Sequence, residues 1–280
     1  VEEETEARNK ELVANIRRLQ GPVEDLIRRF QQVVAESEKH QPDVNSQSGD
    51  HWRLVAYRDS LLRLNLFLEQ NFNYIEPMGL LAVTRYLFEL MIWLKLLHED
   101  SRYGLVYYHE LLVKQLDYYT KLGDHLTRET ALLRDIGEQE VQLRKERLAE
   151  ARGIADPQSQ KQAILQIPRD VMQHIDSAAA RSFRLYGDQA QTNGYDYQAH
   201  LVETKVLPEV KERIAQMRQY LDVFELEAPQ DAKDLVPQRW NWKVQAGRVG
   251  MEEEYSFIYS YTSRLLHATP TTTTTDRRNL

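Results

Sequence analysis

Apolar residues return every three or four positions near the start of the chain, at Leu12, Ile16, Leu19, Val23, Leu26, Ile27, Phe30, Val33 and Val34, with arginine and glutamate between them. That period belongs to an amphipathic α-helix. Pro22 falls inside it and predicts a kink or a break into two helices. Residues 40–50 are polar and rich in breakers, a loop that closes on Asp50 as a helix N-cap. A second helical stretch runs from about Trp52 to Asn71, where Leu61, Leu62, Leu64, Leu66, Phe67 and Leu68 crowd together. A third starts at Pro77, a residue suited to the first turn of a helix, and ends near Asp100.

From Tyr103 to about Arg152 no proline interrupts, and one long helix is predicted, dense in Tyr and Leu at first and in charge later. Its end, Arg134 to Arg152, has few large apolar residues. It is expected to project as an exposed arm or to form half of a hairpin. Residues 153–159 break it, and Pro157 and Pro168 bracket a shorter helix over 169–184. A polar loop is predicted for 187–194, then helix from about Tyr197 to Glu225 with a bend at Pro208, and a linker from Pro229 to Pro237. The last helix is placed from near Trp240 to His267, before Pro270 and the threonine run. No alternating Val/Ile/Thr segment reads as a strand.

The predicted fold is therefore all-α, a bundle of long helices with a protruding charged arm. Its expected divisions are an N-terminal helical segment (1–45), a main bundle (50–270, with 134–195 as arm and insertion) and a flexible tail (271–280).

Composition narrows the chemistry. The chain has 280 residues with 11 Gly, 9 Pro and no Cys, which excludes a disulfide framework, a thiolate metal site and thiol catalysis. A net charge of -7 supplies no global field toward nucleic acid or anionic lipid. Met78 to Leu97 is long and apolar, yet Arg85, Glu89 and Lys95 interrupt it at high cost for a lipid-embedded helix. With a mean hydropathy of -0.60, the expectation is a cytoplasmic protein with no membrane partner and no secretory leader.

Phosphate loops, zinc-protease, hydrolase-elbow and calcium-loop motifs are all missing. His98-Glu99-Asp100 and His109-Glu110 cluster imidazole with carboxylate, but their spacing matches no compact metal site. Solvated helix ends account for them, so neither a metal nor a cofactor is expected. Arg85 and Glu89 are four apart within an otherwise apolar helix, so they share a face and must be paired if buried. They form either a structural ion pair or an anion-binding arginine oriented by Glu89. In the last helix Tyr255, Tyr259, Ser263 and His267 recur every four residues and line one face with hydroxyls and an imidazole. These two sets are expected to face each other across an interior pocket.

The block Arg85-x-x-x-Glu89, the Tyr-rich helix after it, Trp240, Gly250 and Tyr259-x-x-x-Ser263-x-x-x-His267 resembles the prokaryotic family catalogued as domain of unknown function 5677, over roughly residues 55 to 270. That family is helical and uncharacterised. A more distant similarity is to HEPN helical bundles, metal-independent ribonucleases of prokaryotic defence systems whose site is an Arg followed four to six residues later by His on one helix. Here Arg264 and His267 are three apart, and no Arg stands four to six residues before His267.

Three functions follow as expectations. The preferred one is a ligand-binding or sensing module using Arg85, Glu89, Tyr255, Tyr259, Ser263 and His267 for a small anionic ligand. The second is a HEPN-like ribonuclease acting on RNA, with His267 as acid or base and Arg85 on the phosphate. The third is a helical scaffold. A homodimer through the charged arm is the expected self-association.

Overall fold

The computed structural model describes residues 2–40, 48–68 and 77–266, and among them every long element is a helix. The chain opens with α1 (Glu2–Arg18) and α2 (Gln20–His40). The break anticipated at Pro22 falls at Leu19, whose N–H donates to the Ile16 carbonyl instead of to Asn15, the α-helical acceptor one residue further back. Pro22 then sits in the first turn of α2, where its missing N–H has no partner to lose. The 45–50 division lies largely in residues outside the described ones, as do the tail 271–280 and His267.

Helices α3 (Gly49–Leu68), α4 (Pro77–Glu99) and α5 (Tyr103–Arg152) match the predicted order. None of the described helices is long and apolar enough to cross a membrane. The chain then forms α6 (Pro157–Ala179), α7 (Gly187–Asn193), α8 (Tyr195–Leu201), a π-turn (Val202–Val206), α9 (Leu207–Glu227), α10 (Gln230–Lys233), α11 (Trp242–Arg248) and α12 (Glu252–Leu266).

Three sequence expectations are corrected. Pro168 does not open a helix but lies inside α6, which starts eleven residues earlier under an Asp156 cap whose carboxylate accepts from Ser159 N–H at 2.8 Å. Burial of Ile167, Val171, Ile175 and Ala179 on one face outweighs the lost backbone bond. The polar loop expected over 187–194 is largely α7. The bend at Pro208 is taken up as a π-turn over the preceding residues, which accommodates a proline lacking its N–H.

Two compact units divide the chain, residues 1–111 with 222–280 and residues 112–221. In the first, Ile92, Leu96 and Leu97 of α4, Tyr103 and Val106 of α5, Ala246 of α11, Met251 just before α12 and Tyr255 of α12 form one core. Beside it Val23 and Ile27 of α2 pack with Leu61 and Leu64 of α3. In the second unit, Leu133, Ile136 and Ala151 of α5 pack against α6 and Tyr195. The charged end of α5 is thus half of a hairpin: Leu143, Leu148 and Ala151 turn inward and its arginines, with Glu138, Glu146 and Glu150, face water.

Candidate functional site

The site is built where α12 lies on α4. Arg85 meets Tyr259, its guanidinium carbon 4.6 Å from the ring centre, and one turn further along α4 Phe88 meets Tyr255 at 6.4 Å. Rising numbers on one helix against falling numbers on the other make the pair antiparallel. Arg85 Nε donates to Glu89 Oε1 at 3.0 Å, and both side chains are partly buried. The pair therefore orients the guanidinium along α4 while its face rests on Tyr259, a cation–π contact of about 0.5–1 kcal/mol.

Tyr255 is buried and stacks on Tyr259 at 5.7 Å. Burial, helped by the negative charge of Glu89 and opposed by Arg85, pushes its hydroxyl up to about 12, so it stays a neutral hydrogen-bonding group.

An open cleft of about 660 Å³ runs beside this pair, lined by Arg85, Tyr255, Ser256 and Tyr259 together with Arg239, Trp240, Asn241, Trp242 and Lys243. Of the last five, Trp240 entered the sequence analysis only among the residues of the resemblance, and Arg239, Asn241, Trp242 and Lys243 were not singled out. Their signal was present as Arg-Trp-Asn-Trp-Lys, two indoles within cationic flanks that run into the first turn of α11. The segment is held from both sides. Asn241 caps α11, its side-chain oxygen accepting from Lys243 N–H at 3.0 Å and Val244 N–H at 3.2 Å. Trp240 stacks on Trp93 at 4.1 Å, and Trp242 meets Trp240 edge-on at 5.4 Å.

The electrostatics of the cleft oppose those of the whole chain. Arg85, Arg239 and Lys243 are its charged lining residues, and no carboxylate or histidine is among those lining it. Lys243 has Glu252 at 3.5 Å, whereas Arg239 has no ion-pair partner among the described residues. Trp240 Nε1 is shielded from solvent and has no hydrogen-bond acceptor among them. Such a donor is stabilised by any oxygen brought to it.

Of the predicted site residues, the structure brings together Arg85, Glu89, Tyr255 and Tyr259. Ser263 lies one turn beyond Tyr259 and outside the cleft lining, where Ser256 takes part instead. His267 lies outside the described residues. The cleft opens to solvent, with Tyr259 43% exposed, and is not an enclosed interior pocket.

Among the described residues no three His, Asp or Glu side chains gather as a metal-ligand set. His98 is exposed, Asp100 is tied to Arg102, and the His109 ring packs on Phe224 at 5.0 Å. No family model matches the chain, no curated protein matches it and no solved structure matches its fold. The resemblances to the 5677 family and to HEPN bundles rest on the residues quoted for them.

Proposed function

We propose that this chain is a ligand-binding or sensing module whose cleft takes a small anion carrying a flat ring, of the nucleoside phosphate class. One observation carries the reading: three cationic side chains and four aromatic rings line one open cleft that contains no carboxylate. Charge-assisted hydrogen bonds from Arg and Lys suit phosphate or carboxylate oxygens, and the partly exposed rings of Tyr259 and Trp242 give the cleft an aromatic wall for a flat group. Glu89 holds Arg85 without neutralising the neighbouring Arg239 and Lys243.

The ribonuclease alternative needs a group to move a proton, and His267 was assigned that role. The described cleft lining contributes hydroxyls, indoles and cations, a set for holding a phosphate rather than for cleaving one.

Titration calorimetry with a nucleoside monophosphate, its parent nucleoside and inorganic phosphate tests this. The monophosphate is expected to bind at least tenfold more tightly than either fragment, a difference of about 1.4 kcal/mol or more. Equal affinity for phosphate alone would remove the aromatic half of the reading, and no heat with any of the three would reject it.

A further inference from the structure

The two N-terminal helices carry a second feature that the cleft does not use. Leu12, Leu19, Leu26 and Val33 recur at intervals of seven, and they are 51%, 56%, 43% and 50% exposed. The adjoining row of Ile16, Val23, Ile27 and Phe30 is already turned toward α3. A seven-residue apolar repeat keeps one row facing its partner in a left-handed helix pair, and from Leu12 to Val33 it spans roughly 32 Å along α1 and α2, across the break at Leu19. The helix face beside the row is polar, with Arg8, Asn15, Pro22, Arg29 and Glu36 on one line and Glu11, Arg18, Asp25 and Gln32 on the next, all exposed.

The charges select the occupant. If a second copy lies antiparallel, with Leu12 against the second copy's Val33 and Leu19 against its Leu26, then Arg18 comes opposite Asp25 and Arg8 opposite Glu36. Two-fold symmetry repeats both pairs, and no like charges on these lines meet. A parallel two-fold pairing would put the two polar lines on opposite sides of the seam, each against the row of the other copy that α3 already covers, so these charge pairs would not form. Asp25 also takes Arg28 as an ion-pair partner within its own helix, and a carboxylate has room for both. The charged end of α5, the dimer surface expected from the sequence, turns Leu143, Leu148 and Ala151 onto α6 and so offers no comparable row.

We propose that α1 and α2 form an antiparallel seam with a second copy of this chain, making a two-fold symmetric dimer. The proposal is independent of the cleft and of what it binds.

Sedimentation of the full chain should show a concentration-dependent dimer. Leu12→Asp should render it monomeric with an unchanged far-ultraviolet helix signal, since Leu12 is half exposed and is not part of the packed row on α3. Arg18→Asp should weaken dimerisation by roughly tenfold, and adding Asp25→Arg to it should restore the wild-type constant, which nonspecific apolar adhesion would not do. The chain has no cysteine, so oxidation of a mixture of Leu12→Cys and Val33→Cys chains should give cross-linked pairs between the two variants. Leu12→Cys alone should give none. A monomer at every concentration, efficient self-linking of Leu12→Cys, or failure of the charge swap to restore association would each overturn the proposal.

Discussion

Glu129 shows what a single buried charge does in the second unit. Its carboxylate accepts from Leu185 N–H at 2.9 Å and from Tyr186 N–H at 2.7 Å, and it lies 3.1 Å from His125 Nε2. It thereby fixes the chain where α7 begins onto α5. Glu129→Leu keeps the side chain's bulk but orphans two backbone donors, so urea unfolding should show a loss of about 2–4 kcal/mol. Lys121→Ala, which removes an exposed pair with Asp117, should change stability by less than about 0.5 kcal/mol. A loss at Glu129 no larger than at Lys121 would contradict this anchoring role. Glu129 was not legible from the sequence, because it sits among many glutamates of a charged helix and its partners are more than fifty residues away. Arg85 and Glu89 were legible for the opposite reason: a charge in an apolar run has to be satisfied by something.

Among elements, periodicity identified α3, α4 and the whole of α5, because long amphipathic or apolar stretches without proline leave few alternatives. It failed where tertiary packing or a local backbone motif decides. Pro168 looks like a helix start but is carried through α6 by a buried face. The last helix looked continuous from Trp240, yet Gly250 divides it. With φ at 68°, Gly250 donates to the Gly247 carbonyl while Met251 N–H donates to the Ala246 carbonyl at 2.8 Å. This is the paired bond pattern that ends a helix at a left-handed residue, sealed by contact between buried Met251 and Ala246. The stop lets α11 fold beside α12 and puts Trp242 and Tyr255 on the same cleft. Gly250→Ala should cost about 1–2 kcal/mol in thermal or urea unfolding, and Gly250→Asn clearly less, because Asn tolerates positive φ. Equal costs for the two would mean that the left-handed backbone is not what the position requires.

For the whole molecule, an acidic chain presents one cationic, aromatic cleft, and that local inversion of sign is the basis for assigning it a ligand. Half of the cleft was visible in the sequence, as the Arg85/Glu89 pair and the Tyr255/Tyr259 row. The other half comes from Arg239 to Lys243, at the entry to α11, which carries no periodicity and was read as a helix start, with Trp240 among the residues of the resemblance. Its side chains gain meaning only when α12 returns to α4. The most direct measurement is tryptophan fluorescence of the full chain titrated with a nucleoside monophosphate, since Trp240 and Trp242 line the cleft. Saturable quenching is predicted for the wild type. With Arg239→Ala and Lys243→Ala combined, both exposed at the rim and outside the core, the midpoint should rise by roughly tenfold or more while the melting temperature stays the same. Absence of saturable quenching in the wild type, or the same midpoint in the variant, would contradict a ligand site in this cleft.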